Sequence, residues 1–145
     1  MQIEKWDGTT KDKDKILSLM KTVFGENEYS TKNYFNWIYE KNPQGNPIIV
    51  FARDEKNDSI VGIETITPMN LWLNKKLIKS ALSCNSAVHP DYRNKGMFGM
   101  LIDEIQKLAK DEKFRCINGI PNRNSHHAFV NRGFSEIGRL KIYGK

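Results

Sequence analysis

The chain has 145 residues, of which 39% are hydrophobic and 10% aromatic, and its formal net charge is +6. This length and apolar content exclude a disordered chain, and they predict one domain over residues 1–145 whose core needs neither metal nor disulfide. No apolar run approaches the roughly 18 residues of a membrane helix. The amino-terminal segment lacks the basic and apolar regions of a signal peptide, so we expect a cytoplasmic protein without a membrane partner.

The excess of positive charge is spread along the chain rather than gathered in one run. It favours an anionic partner, but nucleic-acid binding is not expected because no basic run is interleaved with aromatic residues. The two cysteines, Cys84 and Cys116, lie in apolar strand-like segments without a histidine at metal-ligand spacing. We therefore expect buried thiols, no disulfide and no metal site.

The first half of the chain begins with a predicted strand at residues 2–6. A helix then follows Thr9 or Thr10 and ends at Gly25, because its apolar residues repeat with a helical period. These are Ile16, Leu19, Met20, Val23 and Phe24. A second helix is predicted from residues 30–31 to residues 42–43. Its aromatic stripe of Tyr34, Phe35 and Trp37, with Ile38, is typical of core, although such residues also line ligand clefts.

The pattern then changes from helical to extended. Residues 48–52 and 60–67 are predicted to be paired antiparallel strands, and a further strand is expected at residues 70–73. No proline or glycine interrupts residues 77–88, which predicts one long, central strand.

An amphipathic helix is predicted over residues 97–110, followed by a strand at 114–120, a short helix at 124–132 and a last strand at 134–143. A strand–helix–strand crossover of this length implies that the strands before and after the long helix are parallel. The order of elements therefore predicts an α/β (α+β) fold with a mixed sheet.

The loop between the long strand and the long helix has the features of an anion site. It contains Arg93, Lys95 and Gly96 at the predicted start of the helix, where unpaired amides and the helix dipole attract phosphate. From these residues alone, an ordinary strand-to-helix turn that needs a glycine is an equally good interpretation.

Two motifs resemble those of the GCN5-related N-acetyltransferases, the GNAT superfamily. The family pattern Gln/Arg-x-x-Gly-x-Gly/Ala, after His-Pro and an aromatic residue, matches residues 88–98 except that Phe98 replaces the small residue. The pattern Asn-x-x-Ala-x-x-x-Tyr-x-x-x-Gly-Phe matches residues 122–134 at Asn122, at the small residue Ser125 and at the Gly-Phe ending. Phe129 stands where the family has a tyrosine.

The resemblance implies a mostly antiparallel sheet of about six strands flanked by helices, with the fourth and fifth strands parallel and splayed. Only Gly144 and Lys145 follow the predicted strand at 134–143, too few to form the family's seventh strand. We therefore expect a shortened domain, a piece of a longer protein, or a homodimer in which a second subunit completes the sheet.

The resemblance also implies acetyl-CoA as co-substrate, bound at the loop, at the end of the preceding strand and at the short helix. The residues concerned are Ala87, Val88, Arg93, Asn94, Lys95, Gly96, Met97, Phe98, Gly99, Asn122, Ser125 and Phe129. Residues 85–88 should separate from residues 117–120 and leave backbone groups free for the pantetheine.

For catalysis the resemblance points to Glu64, Asn85 and His126 as residues that accept or relay a proton. Phe129 has no proton to give to the departing thiolate. Two functions therefore remain open: an N-acetyltransferase that acts on a primary amine, or a related domain that binds CoA or a protein without catalysis.

Overall fold

The computed structural model describes residues 1–140, which form a central sheet with helices on both faces. The strands are β1 (Gln2–Lys5), β2 (Ile48–Asp54), β3 (Ser59–Pro68), β4 (Leu71–Leu73), β5 (Lys76–Ile78), β6 (Ser80–Val88) and β7 (Cys116–Gly119). The helices are α1 (Thr10–Phe24), α2 (Lys32–Phe35), α3 (Met97–Asp111) and α4 (Arg123–Val130). A π-helical turn, Asn36–Glu40, continues α2. No helix within residues 1–140 is long and apolar enough to cross a membrane.

The main sheet has five strands in the order β1-β2-β3-β6-β7. All neighbours are antiparallel except β6 and β7, which pair in parallel from Ser80–Cys116 to Ser83–Gly119. This parallel pair agrees with the crossover through α3 that the sequence predicts. The strand that leads into the loop, β6, is therefore internal, with β3 on one side and β7 on the other.

A β-bulge interrupts the pairing of β3 with β6. Ile63 pairs with Ala87 and Thr65 with Cys84, so Glu64 faces two residues, Asn85 and Ser86. Asn85 has a φ of +55°, a left-handed conformation that asparagine tolerates better than most residues. The bulge bends β6 just before the loop.

Each face of the sheet has its own core. The helices α1 and α2 cover one face, where Ile16 and Phe35 pack with Phe51 and Ile63. Helix α3 covers the other face through Met97, Leu101 and Ile105, which pack with residues such as Val50 and Ile66. In both long helices, the face formed by the periodically spaced apolar residues is therefore the face that packs on the sheet.

The start of α3 is anchored to the sheet through Met97, which is 1% exposed. Its side chain fills the space beside Gly62 on β3, where a Cβ atom would lie 2.6 Å from the Met97 Sδ. This contact fixes the end of α3 that carries the loop.

The prediction of one long strand over residues 77–88 is wrong. Asn74 and Lys75 both have positive φ and close a tight hairpin of β4 and β5, which forms a separate two-stranded sheet. The chain joins the main sheet only at Ser80, and the Lys79 carbonyl accepts a hydrogen bond from the Arg115 amide. The run is therefore divided at Lys79, where the chain passes from the β4–β5 hairpin into the main sheet without a glycine or proline.

The predicted last strand is also wrong over residues 134–140, which have no strand structure, and its remaining residues lie outside the described ones. Phe134 packs on Phe129, with ring centroids 5.0 Å apart, instead of extending along β7. Ile137 is 97% exposed. Within residues 1–140 the main sheet thus has five strands, not about six, and β7 lies at its edge.

Two predictions of burial fail for individual side chains. Cys116 is exposed because it lies on the edge strand β7, whereas Cys84 is half-buried. In the aromatic stripe, Phe35 is buried but Trp37 is 67% exposed. The stripe is therefore core on one side and surface on the other.

Candidate functional site

The loop that joins β6 to α3 presents unpaired backbone amides. The first helical hydrogen bond runs from the Met100 amide to the Gly96 carbonyl, so the amides of Met97, Phe98 and Gly99 have no acceptor among the described residues. Asn94 and Gly96 have φ values of +60° and +75°, which turn the backbone sharply into the helix. Nothing lies within 4 Å of a Cβ built on Gly96, so a ligand can approach the backbone there.

Two basic side chains border this loop. The Arg93 Nε donates to the Val88 carbonyl at 3.0 Å, and the Lys95 Nζ donates to the Asp91 carbonyl at 2.8 Å. The Tyr92 hydroxyl donates to Asp54 at 2.5 Å and ties the loop to the end of β2. The loop is therefore held in place and carries positive charge next to the free amides.

The sheet opens beside the bulge. Pairing of β6 with β7 ends at Ser83–Gly119, so residues 85–88 have no partner on the β7 side within the described chain. The expected separation of residues 85–88 from residues 117–120 is therefore observed for the β6 segment. Residues 117–119, however, are still paired with residues 81–83, and the opening begins only after Gly119. Ala87 and Val88 remain paired with β3 on their other side.

Helix α4 begins at a side-chain cap. The Asn122 Oδ1 accepts hydrogen bonds from the amides of Asn124 at 2.9 Å and Ser125 at 3.0 Å. The structure thus brings together Asn122 and Ser125, two of the residues expected at the cofactor, through the start of α4.

The two positions that depart from the family motifs touch each other. The rings of Phe98 on α3 and Phe129 on α4 pack edge to face at 5.5 Å, and Phe134 continues the cluster. Phe129 is 8% exposed. A phenyl ring therefore occupies position 129 as part of a small apolar core between α3 and α4.

Glu64 is fully buried at the bulge. Its Oε1 accepts a hydrogen bond from the Ser83 hydroxyl at 2.6 Å, while Oε2 has no partner among the described residues. Burial raises the pKa of Glu64 to about 7, against a smaller lowering by hydrogen bonds from Ser83 and Ser86. Glu64 pairs with Val50, which packs on the α3 face of the sheet, so its carboxyl lies on that face.

The other two residues expected for catalysis lie elsewhere. Asn85 hydrogen-bonds on the α2 face of the sheet, opposite to Glu64. His126 is on α4, and its Nε2 lies 3.2 Å from Glu136 at the surface. The structure brings Glu64 and Asn85 to one bulge but on opposite faces.

Sequence reasoning missed two tyrosines that contact Asn85. The Asn85 Nδ2 lies 2.8 Å from the Tyr39 hydroxyl and 3.2 Å from the Tyr34 hydroxyl. Residues five apart do not share a face of a regular α-helix, but the π-helical turn after α2 widens the helix and brings both hydroxyls to Asn85. The aromatic stripe is the only sequence signal for this cluster.

Comparisons with known proteins agree with this geometry. The family described as "Acetyltransferase (GNAT) domain" matches residues 7–130. An acetyltransferase from Trypanosoma brucei superimposes with a TM-score of 0.76 at 13% identity, covering 99% of this chain and 100% of that one. No match was found among curated proteins.

Two further solved structures share the fold. Glucosamine-6-phosphate N-acetyltransferase from Arabidopsis thaliana has a TM-score of 0.75 at 12% identity, with 100% of both chains covered. Aminoglycoside 6'-N-acetyltransferase from Acinetobacter haemolyticus has a TM-score of 0.75 at 16% identity, covering 100% of this chain and 98% of that one. At these identities the similarity establishes the fold.

Proposed function

Because the chain belongs to the acetyltransferase (GNAT) domain family, we propose that it transfers an acetyl group directly from acetyl-CoA to a primary amine. The observation that carries this proposal is the set of free amides at the start of α3, beside the opening between β6 and β7. Both features belong to one continuous segment, β6–loop–α3.

The loop fits the pyrophosphate of CoA. The free amides of Met97, Phe98 and Gly99 would bind phosphate oxygens, while Arg93 and Lys95 supply charge and Asn94 and Gly96 shape the turn. Asn122 and Ser125 would act by fixing the start of α4, and Phe129 by closing α4 onto α3.

The thioester would bind along the open side of β6. Beyond the bulge, the backbone groups of Ala87 and Val88 other than the Val88 carbonyl, which Arg93 engages, would pair with the pantetheine as an added strand would. In acyl transfer a backbone amide at this point also stabilises the oxyanion, the part that the family resemblance gives to Ala87 or Val88.

We assign the base to Glu64, supported by a pKa of about 7, which suits a group that takes up and releases protons near neutrality. Since its carboxyl is shielded from solvent, it would take the proton through Ser83, which donates to it and lies at the last pair before the opening. Asn85 has no titratable proton, so its part is orientation. His126, on the exposed start of α4, would relay protons to solvent.

Two measurements test the proposal. Isothermal titration should show acetyl-CoA binding in the micromolar range, and a thiol-release assay should show turnover with at least one amine. Since two structural neighbours are named for amino-sugar substrates, the amine panel should begin with amino sugars and aminoglycosides. Failure to bind acetyl-CoA at millimolar concentration would overturn the proposal.

A second function is favoured by Phe129, which lacks the hydroxyl of the family tyrosine. It is a domain that binds CoA without catalysis. Binding of acetyl-CoA with no thiol release on any amine of the panel would support this second function over the first.

A further inference from the structure

The Tyr34 hydroxyl lies at the bulge where β6 loses its pairing with β7. It is 3.2 Å from the Asn85 Nδ2, and Asn85 follows the last pair of the two strands by two residues. The Tyr34 ring is held between Tyr29, at a centroid distance of 5.1 Å, and Trp37, at 5.8 Å. This side chain is half-buried, so its position is fixed while one side faces the surface.

The hydrogen bonds around Asn85 fix the direction of each proton. Thr65 has a single hydroxyl proton, which it donates to the Cys84 carbonyl. In the contact between Tyr39 and Thr65, at 3.0 Å, the donor must therefore be Tyr39. Tyr39 can then only accept from Asn85, so the Asn85 amide nitrogen faces the tyrosines. The reverse orientation of the amide would take the Tyr39 proton and leave the Tyr39–Thr65 contact without one.

One proton is left over in this network. The Asn85 amide nitrogen has two hydrogens, one for Tyr39 and one for Tyr34, so Tyr34 also accepts. The Tyr34 O–H itself has no acceptor among the described residues. A free donor thus lies beside Asn85, two residues past the last pair of β6 with β7.

The Tyr34 phenol is held in its protonated form. Burial raises its pKa, and negative charge on Cys84, Tyr29 or Glu28 would raise it further, while the Asn85 hydrogen bond lowers it. Burial also raises the pKa of Tyr39, the second tyrosine that contacts Asn85. Tyr34 therefore carries its proton at neutral pH.

We propose that Tyr34 donates the proton to the departing thiolate, in place of the hydroxyl that Phe129 lacks. The inference rests on the proposed function. The amine nitrogen forms a bond to the acyl carbon, and the carbon–sulfur bond breaks with its electron pair going to sulfur. The phenol proton passes to sulfur, the proton of the attacking nitrogen passes through Ser83 to Glu64, and the phenolate recovers its proton from solvent, so the phenol is regenerated.

The test compares Tyr34→Phe with the matched control Tyr29→Phe, which removes a hydroxyl from the neighbouring ring. Tyr34→Phe should lower kcat by about 100-fold, the scale of a lost general acid, while the dissociation constant for CoA and the KM for the amine stay unchanged. Tyr29→Phe should keep the wild-type kcat. Circular dichroism checks that both variants fold.

A readout without turnover uses tyrosine labelled with ¹³C at Cζ. The Tyr34 signal, identified by its loss in Tyr34→Phe, should shift when CoA is added to the wild-type protein. If Tyr34→Phe does not fold, the Tyr34 signal can be assigned by replacing each of the other tyrosines in turn. Its response to CoA in the wild-type protein then tests the inference.

The outcomes separate this inference from the proposed function. Equal kcat in wild type and Tyr34→Phe, a change in amine KM alone, or a Tyr34 signal that CoA does not move would overturn the inference only. A wild-type protein that transfers acetyl to no amine would overturn the proposed function and the inference with it.

Discussion

At the scale of single residues, the candidate site has polar side chains on both faces of the sheet at the bulge between β3 and β6. Glu64 is enclosed by the sheet and α3 with one carboxyl oxygen unpartnered, and Tyr34 and Asn85 occupy the opposite face of the same bulge. The bulge sets Glu64 on β3 opposite Asn85 on β6, but their side chains lie on opposite faces of the sheet.

Glu64 should make stability depend on pH. Its pKa is raised from 4.5 to about 7 by folding, so the folded state binds more protons between these values and the free energy of unfolding falls as pH rises through this window. Above pH 7, Glu64→Gln should therefore have a free energy of unfolding up to about 3 kcal/mol higher than that of wild type. Below pH 4.5 the two proteins should be equally stable. Urea unfolding across pH measures this. The exposed Glu26→Gln should behave as wild type at every pH, and a Glu64→Gln curve parallel to wild type would contradict the argument.

Gly96 should be essential for CoA binding. Gly96→Glu places a negative side chain where the phosphates would approach the loop, so titration should show no binding. Because Gly96 has a positive φ, Gly96→Asn is the control: asparagine tolerates this conformation and is neutral, so it should retain binding. A folded Gly96→Glu variant with wild-type affinity would refute the placement of the pyrophosphate.

At the scale of secondary structure, two helices carry the site and each depends on one close contact. The start of α3 depends on Met97 beside Gly62, and the start of α4 depends on the Asn122 cap. The long-range contact and the local cap are independent, so they can be tested separately.

Gly62→Ala should loosen α3. The added methyl group would lie 2.6 Å from the Met97 Sδ, and relieving this overlap should cost about 1–3 kcal/mol in urea unfolding. The double variant Gly62→Ala, Met97→Ala lacks the clashing atoms. In a double-mutant cycle it should therefore lose less stability than the sum of the losses of the two single variants. Wild-type stability of Gly62→Ala would show that the space beside Gly62 is not filled.

Asn122→Ala should destabilise α4 by about 1 kcal/mol, because the amides of Asn124 and Ser125 lose their acceptor. Hydrogen exchange of the α4 amides measures the loss. Asn122→Ser keeps a capping oxygen and should restore protection and CoA affinity together. If Asn122→Ser restores protection but not affinity, the amide itself contacts the cofactor.

At the scale of the whole molecule, the net charge of +6 should assist binding of the anionic cofactor. Because the loop lies at the surface, salt should screen this attraction, with a Debye length of about 10 Å at 0.1 M. Titration at rising salt should show a steadily weaker affinity for CoA, and Arg93→Ala should reduce the slope. Affinity that is independent of salt would mean that the charge plays no part.

Much of the fold could be predicted from the sequence because its signals are local. The periodicity of α1 and α3, the end of α1 at Gly25 and the loop at Gly96 each depend on neighbouring residues, and the crossover through α3 implied the parallel pair. The division of residues 77–88 was missed because no glycine or proline marks Lys79, where the chain leaves the β4–β5 hairpin for the main sheet. The strand expected at residues 134–140 failed because Phe134 packs on Phe129.

The sequence by itself determined the side that we propose for the cofactor: a basic glycine loop before an amphipathic helix, and an asparagine cap about thirty residues later. Only the tertiary structure decided the opposite side, where Tyr34 and Tyr39 meet Asn85. That meeting requires a π-helical turn, a bulge and a sheet contact between segments 46 to 51 residues apart. Contacts over such distances depend on how whole elements pack, which no local pattern encodes.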